Sequence, residues 1–163
     1  MPSENEWQTK ICKRIREEGG YAKKWASGFL VGVPDLVVVA EGHNWFVEVK
    51  KIDCVIGKDF KKKLHITPKQ LQEIQAIMTA GGEAYVLVVF EAHKNTLKGK
   101  VADTFLRLYR LPRAGTGVLW VYSKEGFIPW KDDIPIRFIT QLKNSIDVLF
   151  FETNKKEITY EHN

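Results

Sequence analysis

The chain has 163 residues, 44% hydrophobic and 28% charged, with a formal net charge of +5. That is enough for one domain with a hydrophobic core, and the charge permits an anionic partner without proving one. The apolar run Leu36 to Ala40 is strand-sized, as is Ala84 to Phe90. Both fall far short of the roughly 20 residues a membrane helix needs, so no membrane span is expected. The acidic, polar start Met1–Glu6 has no secretory pattern. The two cysteines, Cys12 and Cys54, lack metal-ligand spacing and read as reduced thiols of a cytoplasmic protein.

In chain order, the first element is a helix. Ser3 is its N-cap, Glu6 completes a capping box, and Trp7, Ile11 and Ile15 form one apolar face before the Gly19-Gly20 stop. A Lys-, Gly- and Ser-rich connection, 21–32, follows. Residues 33–40 are β-branched and apolar and read as a buried strand, with Pro34 at its entrance. Glu41 to Asn44 is turn chemistry, and Trp45 to Lys51 returns as the second strand of a hairpin. Ile52 to Ile66 is a polar, lysine-rich loop. Thr67, Pro68 and Gln70 open another helix with a second capping box; Leu71, Ile74, Ile77 and Met78 give its apolar stripe, and Gly81-Gly82 ends it. Ala84 to Phe90 is a third strand beside the hairpin. Strands are also expected at Thr104–Leu111 and Val118–Tyr122, while Ile134–Leu149 mixes helical and strand signals. Residues 1–90 thus form an α/β core, and 91–163 read as an elaboration of the same domain.

The chemistry concentrates on the hairpin. Side chains alternate along a strand, so Phe46, Glu48 and Lys50 share one face while Trp45, Val47 and Val49 face the core. The turn brings Asp35 back towards the Glu48 end. Two converging carboxylates repel unless a cation joins them, and hard oxygen ligands suit Mg²⁺, with Mn²⁺ able to substitute. The Val49 carbonyl could be a further ligand. Lys50 beside such a cation could orient water or stabilise charge on a phosphate, which is a device for phosphodiester hydrolysis. Taken singly, Asp35 also reads as a turn residue, and Glu48 with Lys50 as a surface ion pair. Lys61, Lys62 and Lys63 lie in the loop after Lys50 and are expected to overhang an anionic substrate, although a lysine run also reads as a solvated face. His43 and His65 have no partner at ligand spacing.

Gly32-Val33-Pro34-Asp35, twelve residues, then Glu48-Val49-Lys50 resembles the PD-(D/E)XK nuclease signature. With Ile66-Thr67-Pro68-Lys69-Gln70 opening the next helix, the chain is similar to the VRR-NUC (virus-type replication-repair nuclease) branch and also resembles archaeal Holliday-junction resolvases. The resemblance covers about residues 4–90. It implies a restriction-endonuclease-like fold, a central mixed sheet with a catalytic hairpin flanked by helices. It implies a metal-dependent endonuclease acting on branched or otherwise structured DNA in repair or recombination, working as a homodimer, and a phage origin. It also implies a further acid on the first helix, for which Glu6 is the candidate and Glu17 and Glu18 the alternatives. Gln70 is implied near the site, and DNA-backbone contact around Lys24, Ser27 and Gly28. A restriction-type or general nuclease with the same site, or a non-catalytic DNA-binding module, are the alternatives.

Overall fold

The architecture is that of a computed structural model, which describes residues 2–25, 31–131 and 137–152. Helix α1 spans Glu4–Glu17; Ser3 Oγ accepts the Glu6 N–H at 3.2 Å, and Trp7, Ile11, Cys12 and Ile15 are buried. Strand β1 (Tyr21–Lys24) follows where a loop was expected, pairing antiparallel with β2 (Leu36–Ala40). Only Ala22 of its four residues is buried, so β1 carries almost no apolar alternation to announce it. Strand β3 (His43–Val55) turns back on β2 with Ala40 opposite His43. The turn is therefore Glu41-Gly42 alone, both at positive φ (51° and 79°), the two-residue geometry whose twist matches a hairpin.

β3 runs four residues beyond the expected Lys51, because its far half has a different partner. It lies parallel to β5 (Glu83–His93) over eleven register pairs, Trp45–Glu83 to Val55–His93. Helix α2 (Pro68–Thr79) is the crossover that a parallel pair requires. Strand β4 (Lys61–Lys63) interrupts the expected loop and pairs with β7 (Trp120–Tyr122) as a separate two-stranded sheet. Strand β6 (Val101–Arg110) pairs antiparallel with β5; β8 (Ile128–Pro129) and β9 (Asp147–Val148) both join β6, and α3 (Phe138–Ser145) precedes β9. The main sheet has the order β1-β2-β3-β5-β6-β8.

This mixed sheet is covered on both faces, as the expected α/β fold requires. One core joins α1 and α3 to Leu36, Val47, Val49, Leu87 and Leu108; the other joins α2 and the small sheet to Val86, Val88, Phe90 and Tyr109. β5 is buried along its length after Glu83, which explains its continuous apolar sequence. The tail is absorbed into these cores: Phe138 and Leu149 are buried, and Trp130 and Phe151 pack against them. Phe150, by contrast, is 78% exposed. Both cysteines are free and buried. Among the described residues no helix is long and apolar enough to cross a membrane.

Candidate active site

β2 begins one residue after Asp35, so Asp35 is a bend at the strand's mouth and not its first rung. The Leu36–Val47 pairing, continued outward, sets Asp35 beside Glu48 and Pro34 opposite Val49. Proline has no N–H. The β2–β3 ladder ends at Leu36–Val47, and beyond it the Val49 N–H donates to Asp35 Oδ2 at 2.8 Å. The Val49 carbonyl, on the same edge of the strand, is offered no donor by Pro34. The approach to this point needs Gly32: it has φ +84°, and a Cβ there would sit 2.9 Å from the Lys69 backbone. The segment before β2 thus runs against the first turn of α2.

Glu48 and Lys50 project from β3 towards α2. Glu48 is 3% exposed, and Lys50 Nζ lies 3.7 Å from its Oε2. Gln70 reaches the same oxygen, its Nε2 donating at 3.1 Å. The orientation of that amide follows from the helix start: Gln70 Oε1 accepts the Thr67 N–H at 3.0 Å while Thr67 Oγ1 accepts the Gln70 N–H at 3.1 Å. The capping box that starts α2 therefore also aims Gln70's NH₂ at Glu48. The structure thus brings Asp35, Glu48, Val49, Lys50 and Gln70 together.

Asp35 and Glu48 act on each other's ionisation. Burial, then the charge on Asp35, pushes the Glu48 pKa up to about 8 against the pull of Lys50. Burial also raises Asp35, opposed first by the Val49 N–H. In the absence of a cation, burial and the neighbouring Asp35 favour the protonated form of Glu48. Two desolvated oxygen donors, beside a carbonyl without a ladder partner, fit a hard divalent cation.

On α1, Glu4, which the sequence reading did not single out, also acts on this pair. Its charge raises both carboxyls, and its Oε2 accepts the Lys51 N–H at 3.0 Å, just past the end of β2. Glu6 is exposed, with its backbone on the Ser3 cap. Glu17 pairs with Lys13; Glu18 pairs with Arg14 and accepts the Phe138 N–H at 2.6 Å, which ties α1 to α3. The only sequence signal for Glu4 was a second acid in the same first turn.

Of the residues expected to contact nucleic acid, Ser27 and Gly28 lie outside the described residues. Lys24 donates to Asn5 O and Oδ1 at 3.2 and 3.0 Å, tying β1 to α1. Lys61–Lys63 form a strand and not a loop, so alternate lysines face opposite ways: Lys61 and Lys63 are exposed, Lys62 half-buried near Cys54. Lys61 Nζ also sits 4.5 Å from the Trp120 ring centre and 3.9 Å from Glu152 Oε1. His43 starts β3 and contacts Glu83 Oε2 at 3.2 Å.

No family model matches the chain, and no curated protein matches it. Among solved structures, it is similar to a VRR_NUC domain at 30% identity, over 52% of this chain and 82% of that one, with a TM-score of 0.39. It is also similar to the Holliday junction resolvase Hjc of the archaeal hyperthermophile Archaeoglobus fulgidus, at 17% identity over 61% of this chain and 71% of that one, with a TM-score of 0.39. On the sequence identity across most of the first of these, and not on either superposition, the chain belongs to the VRR_NUC family.

Proposed function

We propose that this protein is a divalent-metal-dependent DNA endonuclease that hydrolyses phosphodiester bonds, selective for branched or otherwise structured DNA and active as a homodimer in repair or recombination, with phage the origin and the cytoplasm the place of action. The observation that carries the reading is the pairing of half-buried Asp35 with buried Glu48, with Lys50 at 3.7 Å and Gln70 at 3.1 Å from one Glu48 oxygen. A buried carboxylate set beside a second, half-buried one at a strand end costs stability, and a bound cation would offset that cost.

Asp35, Glu48 and the Val49 carbonyl would hold Mg²⁺ or Mn²⁺, with Glu4 in place of Glu6 as the helix acid. When bound, that cation supplies stabilisation of charge developing on the phosphate and a lowered pKa for water. Glu48 gives up its proton as the site fills. Lys50 places a positive charge where the phosphate oxygens gain negative charge and is positioned to orient the attacking water. Gln70 holds Glu48 in one rotamer. Lys24, Ser27, Lys61 and Lys63 contribute backbone contacts that position DNA without reading its sequence.

The experiment is cleavage of a labelled panel comprising linear duplex, single strand, flap and four-way junction. Branched substrates should be cut preferentially. Uniform cleavage of all duplexes would assign a general nuclease, and binding without cleavage under Mg²⁺ and Mn²⁺ would leave only a DNA-binding module.

A further inference from the structure

On the opposite face of β3 from Glu48 lies a second group of charged side chains. The parallel register sets Asp53 opposite Glu91 and Val55 opposite His93. A bulge at Ala92/His93 shifts the β5–β6 pairing there. Glu91 and His93 are each 1% exposed; the Asp53 side chain is 43% exposed. One ligand atom from each of the three lies within 4.8 Å of the others.

The orientation of His93 is fixed from outside the group. Its Nδ1 is 2.7 Å from the Gly99 carbonyl, in the loop joining β5 to β6, so the proton there is committed to a backbone acceptor. That leaves Nε2 facing the carboxylates, 2.7 Å from Asp53 Oδ1. A backbone carbonyl on one ring nitrogen, with the other aimed at oxygen ligands, is the arrangement that orients metal-binding histidines. With the Nδ1 proton committed to Gly99, the 2.7 Å contact between Nε2 and Asp53 Oδ1 requires a cation between them, a proton or a metal. Glu91 is also held from outside the three, by Trp7 Nε1 at 3.1 Å and Lys51 Nζ at 3.4 Å. Lys51 also reaches the Pro2 carbonyl at 3.5 Å, a second resting place for its ammonium.

We propose that Asp53, Glu91 and His93 form a second metal site, distinct from the Asp35–Glu48 pair, that takes a borderline divalent ion of the Zn²⁺ class. The imidazole nitrogen selects against Mg²⁺ and Ca²⁺, and one nitrogen with two carboxylates is a three-ligand set that leaves a position for water. Binding replaces the Nε2 proton, which leaves to solvent, and moves Lys51 from Glu91 towards Pro2. The half-exposed Asp53 is the door and the ligand free to adjust. The ion would clamp the ends of β3 and β5 to the 94–100 loop and, through Trp7, to α1.

The test uses the full-length chain carrying Asp35→Asn and Glu48→Gln, so that the hairpin pair no longer holds a cation. Titration with Co²⁺ as a spectroscopic probe should give one equivalent bound with visible absorption bands, displaced by Zn²⁺ and not by excess Mg²⁺. Adding Asp53→Asn, an exposed change compatible with folding, should weaken Co²⁺ at least tenfold, and His93→Gln should abolish the bands. A double variant that binds no Co²⁺, or Co²⁺ binding unchanged by Asp53→Asn in a folded protein, would overturn the second site. Neither result touches the nuclease reading, which is tested by cleavage.

Discussion

Glu48 carries the most consequential side-chain property in the molecule. Its folded pKa, about 8, lies above its ordinary value of 4.5. The folded protein therefore holds this proton more tightly than the unfolded chain. The stabilisation is complete below about pH 4.5 and is lost as pH rises through 8. In chelator, the melting temperature should fall by several degrees between pH 5 and 8.5, and Glu48→Gln should remove most of that slope. With Mg²⁺ the trend should reverse, because the cation binds the ionised carboxylates. Differential scanning fluorimetry across pH, with and without Mg²⁺, measures both; a pH-independent wild type would mean that the fold does not favour protonated Glu48. Lys50→Met should lower turnover about 10²- to 10⁴-fold with DNA binding retained, as expected for a group acting on the reacting centre. Undiminished single-turnover cleavage would remove Lys50 from the chemistry.

At the scale of elements, what was legible depended on how local the cause is. Asp35, Glu48 and Lys50 could be placed from a turn and a two-residue alternation; the capping box put Gln70 at the start of α2, and only the resemblance put it near the site, where its amide points at Glu48. Glu4 could not. Ser3 caps the helix through the Glu6 N–H wherever the acids point, and only the docking of α1 across the end of β2 brings Glu4 to Lys51. Glu4→Gln should therefore weaken Mg²⁺ affinity several-fold, while Glu6→Gln leaves it unchanged; calorimetry on both variants would reveal the opposite ranking if the sequence-based choice were right. Strand β4 was hidden for a related reason, since its partner lies some sixty residues on and three lysines carry no β signal. Its alternation sets an expectation a loop would not: removing Lys61 and Lys63 should lower the salt slope of DNA binding by up to about 2, and removing Lys62 as well should change it little further. Equal steps for all three lysines would argue against the strand.

For the whole molecule, the α/β core followed from the order of elements and the sheet flanked by helices from the resemblance, whereas the fate of the tail followed from neither. Phe138, Leu149, Trp130 and Phe151 complete the monomer's own cores, so they are not spare surface for a partner. The proposed homodimer rests on the symmetry that paired cuts in a junction would demand. Analytical ultracentrifugation with and without four-way junction should show a two-chain species; a monomer in both would redirect the reading towards a nicking enzyme. The central claim is that the Asp35–Glu48 pair is the seat of metal-dependent strand cleavage. Its most direct test is one cleavage time course on branched DNA, run with Mg²⁺, with EDTA, and with Mg²⁺ plus folded Glu48→Gln protein. Cleavage is expected in the first reaction and none above background in the other two. Full activity in EDTA, or a Glu48→Gln protein that cuts as fast as the wild type, would contradict it.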